Sequence, residues 1–273
     1  MKAAIAIFGA ALASAAMADD VAAPSVLVFH RCEGFAHTAA IEAANAAFRK
    51  ATEDGLLKAE FSTDYEALRP ESLGKYDALV LNNTTGLDTA GHPWMADGIA
   101  AFVESGKGYA VLHGGADCFA DCPKLAEICG GLFAGHPWTS DGTWAFKVDD
   151  AEDPVNRAFK DTPRFRLSDE IYQHASPPFD PEKIHVLVSL DFDDPEVAGR
   201  EGMIRPESTL YPVSWTKRCG KGRVFFTSFG HDERAWNDPV RRMHMMDGIM
   251  FAACGGRGCR RAGRGKGSCK KAE

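Results

Sequence analysis

The chain has 273 residues, eight of them cysteines, and a formal net charge of −7 at pH 7. The charge is unevenly spread, because residues 255–273 hold seven Lys/Arg and one Glu. Without this segment and Lys2, the body of the chain, residues 19–254, carries a net charge of −14. Nucleic-acid binding requires clustered Lys and Arg that contact phosphates. The acidic body therefore argues against nucleic acid as its ligand, and its length fits one large α/β domain.

Both ends of the chain differ from the body. Residues 1–18 start with Met-Lys, continue through an apolar stretch and finish in Ala-Met-Ala, which is typical of a secretory signal peptide. The stretch is too short for a transmembrane helix, which needs about 20 apolar residues, so we expect no transmembrane segment and a periplasmic or secreted protein. Residues 255–273 lack large apolar side chains and predict a disordered basic tail.

Apolar runs alternate with helical periodicities through the first half of the body. Strands are predicted at 25–30, 58–63, 77–81 and 109–112, and helices at 38–51, 95–103 and 117–129. This alternation predicts βαβ units and a parallel sheet. The Pro- and Asp-rich residues 131–212 predict insertions and extra strands that cover the carboxyl edge of the sheet. A hairpin at 213–217 and 223–228, and a last helix that begins at Asp238 and Pro239, complete the domain.

Three histidines follow predicted strands or their turns. His113 closes the fourth strand and precedes two glycines, His231 follows the last strand, and His37 lies in the turn after the first. Ligands of open α/β sheets bind outside the carboxyl ends of the strands, so we expect these side chains to form one site. A histidine at the strand-to-helix turn, where related folds place Ser or Cys, argues against acyl-enzyme chemistry there.

Other polar and aromatic residues are candidates for the same site. Glu170 and Tyr172 share one face of an extended segment, and a carboxylate in a closed cleft would have a raised pKa and act as acid or base. A salt bridge to an arginine is the alternative. His136 and Trp138 combine an imidazole with an aromatic platform suited to sugar rings, with packing as the alternative for the indole. Asn83 lies in the polar turn after the third strand.

Metal binding stays open at this level. His37, His113, His136 and His231 could converge with Glu170 as the His and carboxylate ligands of a zinc site, although no local His-x3-His spacing enforces this. No cofactor is firmly implied, and a divalent metal is the alternative. Because no Gly-x-Gly-x-x-Gly follows a strand, a nicotinamide dehydrogenase is not expected.

Three cysteines lie close together in the sequence. Export allows disulfides, and we expect one bridge among Cys118, Cys122 and Cys129 rather than a metal site. Buried thiols are the alternative.

Several motifs resemble one known family. They are Gly34-Phe35-Ala36-His37, Leu112-His113-Gly114, Gly135-His136-Pro137-Trp138, Asp169-Glu170-Ile171-Tyr172 and the stretch from Pro212 through Gly230-His231-Asp232 to Trp236. In this order they resemble the trehalose-utilisation (ThuA-like) family. The resemblance implies a flavodoxin-like fold akin to class I glutamine amidotransferases, without their catalytic cysteine. It also implies a link to carbohydrate metabolism that includes disaccharides and oxidised sugars.

We therefore predict an α/β domain over residues 19–254, flavodoxin-like (Rossmann-like), with a mostly parallel sheet and helices on both faces. It would act on a carbohydrate, either a glycoside or an oxidised sugar derivative. The predicted catalytic residues are His113, Glu170 and His231. The predicted substrate-binding residues are His37, Asn83, His136, Trp138, Tyr172 and Trp215. The alternatives are a non-catalytic sugar-binding or accessory protein and a metal-dependent hydrolase, and a separate sugar oxidoreductase is an open choice of partner.

Overall fold

The computed structural model describes residues 22–254, so that the predicted signal peptide and basic tail lie outside the described residues. These residues form a nine-stranded sheet in the order β2-β1-β3-β4-β9-β8-β7-β5-β6. The strands are β1 Ser25–Phe29, β2 Lys58–Ser62, β3 Ala78–Asn82, β4 Gly108–Leu112, β5 Trp144–Val148, β6 Arg164–Leu167, β7 His185–Leu190, β8 Pro212–Cys219 and β9 Gly222–Thr227.

The α-helices connect these strands and cover the sheet. They are α1 Thr38–Glu53, α2 Pro70–Leu73, α3 Met95–Glu104, α4 Pro123–Cys129, α5 Pro195–Ala198, α6 Glu233–Asn237 and α7 Pro239–Cys254. The carboxylate of Asp238 accepts hydrogen bonds from the backbone of Val240 and Arg241, which confirms the predicted start of α7. Over residues 22–254 no helix is long and apolar enough to cross a membrane.

Five strands form the parallel half of the sheet. β1 pairs with β2 and β3, β3 with β4, and β4 with β9, all in parallel register. β3 and β4 are buried along their whole length, as expected for apolar runs in a parallel sheet. The parallel sheet predicted from the βαβ pattern is confirmed. Because these strands run in one direction, their carboxyl ends share one edge, and the loops that follow β1, β3, β4 and β9 meet there.

The remaining strands are antiparallel. β8 turns back beside β9 through a tight hairpin at Cys219–Gly222, in which Gly220 has a φ of 56°, and β7, β5 and β6 follow in antiparallel register. The expectation that these strands cover the carboxyl edge is wrong. The hairpin keeps the chain in the plane of the sheet, so the strands extend it sideways. Only the loops between them reach the carboxyl edge.

Alternate residues of a parallel strand enter two different buried clusters. Val28 of β1 packs in one cluster with Phe48 of α1 and Ile249 of α7. Leu27, its neighbour in β1, belongs to the other cluster with Ile99 of α3. Packing against two sets of helices fixes the register of the parallel strands and therefore the positions of the loops at their carboxyl ends.

The helix predicted at 117–129, with Pro123 either breaking or starting a segment, begins at Pro123, because proline suits the first turn and not the interior of a helix. The expectation of a disulfide in this stretch is wrong. Cys118, Cys122 and Cys129 are buried free thiols rather than partners in a disulfide. The seven residues of α4 separate Cys122 from Cys129 by about 10 Å along the axis, beyond the reach of a disulfide.

Candidate functional site

His113 directly follows β4 and opens a short 3-10 helix at the carboxyl edge. Its side chain is fully buried, and its backbone has a φ of 43°, an uncommon conformation for a residue other than glycine. The Nδ1 lies 2.6 Å from the carbonyl oxygen of Ser228, which can only accept. Nδ1 therefore donates to this carbonyl, and in the neutral imidazole Nε2 carries the lone pair that faces the site.

His231 and Glu170 meet His113 at that lone pair. The His231 Nδ1 lies 3.3 Å from the His113 Nε2 and 3.4 Å from the Glu170 Oε1, and Glu170 Oε1 lies 3.6 Å from the His113 Nε2. The exposed fraction of the side chain is 0% for His113, 11% for Glu170 and 21% for His231. The group is therefore closed on the side of β4 and open to solvent on the side of His231.

His37 completes the cluster from the loop before α1. Its ring centroid lies 4.8 Å from that of His113 and 5.0 Å from that of His231, edge to face in both cases. His37 is 7% exposed, and its Nδ1 has no hydrogen-bond partner among the described residues. Each of the four side chains offers one potential ligand atom, and these atoms all lie within 4.8 Å of one another.

The insertion between β4 and β7 brings Glu170 and His136 to the site. Residues 133–138 pair antiparallel with residues 171–174 through bridges at Phe133–His174 and Trp138–Ile171. This pairing places His136 Nδ1 3.4 Å from the second oxygen of Glu170, Oε2. The His136 side chain is 45% exposed, so it connects the buried carboxylate to solvent.

Asp169 holds the loop that carries His231. Its carboxylate accepts hydrogen bonds from the backbone N–H of Gly230 at 3.2 Å and of His231 at 3.1 Å. Arg241 of α7 donates to the same carboxylate at 3.3 Å, and both side chains are buried. Asp169 therefore positions His231 without touching its imidazole.

Asn83 ties two of these loops together. Its Nδ2 donates to the carbonyl oxygen of Gly230 at 3.2 Å, and its Oδ1 lies 3.5 Å from the backbone N–H of Gly114. Asn83 is fully buried and has a φ of 52°, which asparagine tolerates better than most residues. Its contacts are with the backbone of the site, so its surroundings differ from those expected of a substrate-binding residue.

The close contacts of the cluster shift the pKa values of its members. Burial raises the pKa of Glu170, but contacts with His113 and His231 outweigh burial and lower it well below its usual range. The expected raised pKa is therefore wrong. Burial lowers the pKa of His231, but the carboxylate of Glu170 outweighs this and raises it. Burial, together with the neighbouring His113 and His231, lowers the pKa of His37 to about 3.

Asp232, the carboxylate next to His231 in sequence, does not contact the imidazole. It accepts from the backbone of Arg234 at the start of α6 and forms a salt bridge with the Arg234 side chain. The carboxylate that contacts the imidazole is Glu170, as adjacent residues cannot easily share a direct side-chain bond.

Three predicted aromatic residues differ in their placement. Trp138 and Trp215 are fully buried, and their indole N–H groups donate to the carbonyl oxygens of Val197 and Cys129. They pack in the core and offer no face to a sugar. The sequence did not reveal this, since a motif next to a histidine does not show which of its side chains is exposed. Tyr172 stays at the site, with its ring 4.3 Å from that of His113, and burial raises the pKa of its phenol.

Other residues of the site were not among the predicted ones. Phe35 is 70% exposed, and its ring lies 4.8 Å from that of His37. Phe133 packs between Tyr172 and His136, 4.4 Å and 5.8 Å away between ring centroids. Phe35 could have been found by its position two residues before His37, whereas no local signal marks Phe133 or the buried Arg241.

The sequence matches the family described as trehalose utilisation, ThuA, over residues 25–252. The chain belongs to the ThuA family. The resemblance seen in the motifs is therefore confirmed, and the family lies in the glutamine amidotransferase-like superfamily. No curated protein matches the sequence.

Solved structures of ThuA-like proteins share the fold. One from Bacteroides uniformis is 20% identical, with a TM-score of 0.68 over 84% of this chain and 92% of that one. Another from Parabacteroides merdae is 15% identical, with a TM-score of 0.61 over 85% of this chain and 91% of that one. A cytoplasmic protein of Salmonella typhimurium is 12% identical, with a TM-score of 0.52. At these identities the likeness shows the fold alone. Membership of the ThuA family supports a role in sugar utilisation.

Proposed function

We propose that this ThuA-family protein is an enzyme that acts on a carbohydrate, either a glycoside or an oxidised sugar derivative. The observation that carries the proposal is the convergence of His37, His113, Glu170 and His231 within 4.8 Å at one sheet edge. Ligands of open α/β sheets bind at this edge. Acid–base chemistry requires side chains within hydrogen-bond reach of one another and of a substrate, and His231 beside Glu170 meets that requirement.

The residues at the open side of the cluster have distinct roles in this proposal. Glu170 and His231 exchange protons with the substrate, and the lone pair of the His113 Nε2 accepts a hydrogen bond from a sugar hydroxyl. His136, half exposed and 3.4 Å from Glu170, passes protons between the carboxylate and solvent. Asp169 and Asn83 keep the loops of the site in place.

Exposed aromatic rings at the same edge suit a sugar. Phe35 is a large apolar side chain left 70% exposed, and it lies against the ring of His37. Aromatic faces pack against the apolar faces of sugar rings, while the neighbouring polar groups bond the hydroxyls. In this proposal Phe35 takes the platform role that Trp138 and Trp215, being buried, leave open.

The architecture of the core and the location of the protein are further parts of the proposal. We infer a flavodoxin-type core with helices on both faces, supported by the parallel strand order β2-β1-β3-β4-β9 and by the two buried clusters with separate helices. We also propose an exported protein, periplasmic or secreted, on the basis of residues 1–18.

A ligand screen with product detection tests the proposed activity. The purified protein is screened by thermal shift against disaccharides and 3-keto sugars, because a ligand that binds the folded state raises the melting temperature. Each ligand that does so is incubated with the protein and examined by mass spectrometry. We expect turnover that falls at least about 100-fold in His231→Ala and in His113→Ala.

A matched control replaces a histidine outside the cluster. His92→Ala removes a ring that packs on Tyr65 and Trp94, away from His231, so turnover should stay within about twofold. Full turnover in folded His113→Ala and His231→Ala would refute the assignment. Sugar binding with the ligand recovered unchanged would instead support the sugar-binding protein.

A further inference from the structure

The cluster holds four side chains of the types that bind transition metals. Three histidines and one glutamate come from four separate loops, after β1, β4, β6 and β9. Imidazole nitrogen and carboxylate oxygen are the usual ligands of zinc and of neighbouring first-row divalent ions. Such a set in one place calls for a comparison of its spacing with that of a metal centre.

The spacing agrees with tetrahedral coordination. Zinc with bonds of about 2.0–2.1 Å separates its ligand atoms by about 3.3–3.4 Å. The Nδ1 of His231 lies 3.3 Å from the Nε2 of His113 and 3.4 Å from the Oε1 of Glu170. The third separation, between His113 and Glu170, is 3.6 Å. The three atoms therefore outline one face of a tetrahedron.

The protonation of His113 favours a cation in this position. Its Nδ1 donates to the carbonyl of Ser228, so the neutral imidazole turns the lone pair of Nε2 towards Glu170 and His231. A lone pair that faces a carboxylate is repulsive unless a proton or a metal ion lies between them. One proton on the His231 Nδ1 can point well at only one acceptor, whereas a metal ion is bound by all three atoms at once.

The surroundings match those of known metal ligands. A metal-bound histidine usually donates its second ring nitrogen to a carbonyl or a carboxylate, as His113 does to Ser228. Asp169 fixes the loop of His231 through two backbone hydrogen bonds. His37 is more than nine-tenths buried and keeps a ring nitrogen without a hydrogen-bond partner among the described residues. Such a nitrogen is available to an ion or an ordered water.

We propose that His37, His113, Glu170 and His231 bind one divalent first-row transition-metal ion of the zinc type. The inference deepens the proposed function and rests on it for the role of the site, although metal binding is measurable without any substrate. The side next to His231 stays open to solvent, so a sugar oxygen or water can bind there as a fifth ligand. With the ion bound, Glu170 and His231 act as ligands in place of the proton-transfer roles given above, and His136, which is not among the ligands, exchanges protons with the substrate.

A second group of similar composition provides a control. Asp150, Asp153 and His185 also lie within 4.8 Å of one another, but His185 is exposed. Its ring nitrogen lies 3.1 Å and 3.5 Å from the two carboxylates, an ordinary surface ion pair. Replacing His185 removes this group and leaves the buried cluster untouched.

Zinc titration of the full chain, produced without an affinity tag and treated with a chelator, tests the proposal. Calorimetry should give one strong zinc site, with affinity lowered by about 100-fold or more in His231→Ala and Glu170→Gln. His185→Ala should bind zinc as the wild type does. Cobalt bound in place of zinc should show the intense visible bands of a four- or five-coordinate ion without a thiolate charge-transfer band, which excludes binding by cysteines.

Three results would overturn the proposal. The first is zinc binding by the wild type that is no stronger than binding by both folded cluster variants, His231→Ala and Glu170→Gln. The second is a loss of binding confined to His185→Ala, and the third is a cobalt spectrum with thiolate bands. His231→Ala, whose side chain is partly exposed, keeps the comparison valid if buried Glu170→Gln does not fold. Zinc binding with no sugar product would preserve the metal site and refute the enzyme. Undiminished turnover by metal-free protein would preserve the enzyme and refute a role for the metal in turnover.

Discussion

At the scale of single residues, Asp169 combines deep burial with three hydrogen-bond donors around one carboxylate. It is 2% exposed, and its carboxylate is shared by two backbone N–H groups and the buried guanidinium of Arg241. Removing one partner of such a buried ion pair strongly destabilises the folded state, because the other charge stays buried without compensation. The pair also joins α7 to the loop of His231, so a residue outside the cluster fixes the position of one inside it.

Asp169→Asn should destabilise the protein and disturb the site. The amide leaves Arg241 with only the more distant carboxylate of Asp238, 4.0 Å away. The amide NH2 group would also face the backbone N–H of Gly230 or of His231, so that two donors oppose each other. We expect a loss of about 3 kcal/mol in the free energy of unfolding, measured by urea denaturation, and weaker zinc binding by the folded fraction.

The control for this change is a carboxylate on the surface. Asp193 pairs with Arg164 while 77% of its side chain is exposed, so Asp193→Asn should cost less than about 1 kcal/mol. Equal stability of the two variants would contradict the role given to Asp169, as would unaltered zinc affinity in Asp169→Asn.

Between secondary-structure elements, α7 packs closely on β9. A Cβ added to Gly248 of α7 would lie 2.3 Å from the ring of Phe225 in β9. This glycine lets the helix lie flat on the strand that ends beside His231. Glycine inside a helix costs about 1 kcal/mol relative to alanine, so its presence here reflects packing rather than helix propensity.

Gly248→Ala should therefore destabilise the protein even though alanine favours helices. We expect a loss of about 1–3 kcal/mol, because overpacking in a dense core forces side chains or the helix to move. Thermal or urea unfolding measures it. The double variant with Phe225→Leu provides a cycle: the cost of Gly248→Ala should shrink when the ring is gone. A stabilised single variant, or an equal cost in both backgrounds, would disagree with the described contact.

The antiparallel half shows how an insertion contributes to a site on the parallel half. Its strands extend the sheet away from the carboxyl edge, yet the segments beside Trp138 and Ile171 pair with each other and return Glu170 to that edge. The glutamate is thus supplied by a different part of the sheet from the three histidines.

At the scale of the whole molecule, a buried polar chain links β8, β9 and α7. The Nδ1 of His244 donates to the carbonyl oxygen of Val155 at 3.1 Å, and its Nε2 accepts from the Ser214 hydroxyl at 3.0 Å. The Ser214 hydroxyl lies 2.7 Å from that of Thr227. All three side chains are buried in the core. Burial lowers the pKa of His244 to about 4, so its imidazole is neutral near pH 7.

Stability should therefore fall as the pH drops from about 6.5 to about 4. In that window the unfolded chain, in which His244 has its ordinary pKa near 6.5, binds a proton that the folded state does not bind. The loss from this one residue amounts to about 3 kcal/mol at pH 4. His174, whose pKa burial lowers to about 3, acts in the same direction.

Two variants isolate the share of His244. His244→Gln and His244→Phe differ in polarity and in stability at pH 7, but neither titrates between pH 4 and 6.5. Both should show a shallower fall of the unfolding free energy with acid than the wild type, by about the same amount. A pH dependence that is unchanged in both would show that His244 is protonated in the folded state.

Much of the site follows from local sequence signals. His37, His113 and His231 each follow a strand of one parallel set, and such strands end at one edge whatever the remaining chain does. The alternation of apolar runs and helical periodicities likewise predicts the parallel half, because the hydrophobic period of each element depends only on its own residues. The family resemblance rests on the same short motifs.

Tertiary structure alone decided what depends on distant neighbours. The pKa of Glu170 falls rather than rises because histidines from two other loops surround it, and Asp169 meets Arg241 from 72 residues away. Trp138 is buried against Phe192 and Tyr211, and Trp215 against His174, all of them distant in sequence. A sequence records the period and chemistry of each segment. The electrostatic field and exposure of a side chain depend on which segments pack around it, and those contacts exist only once the sheet has formed.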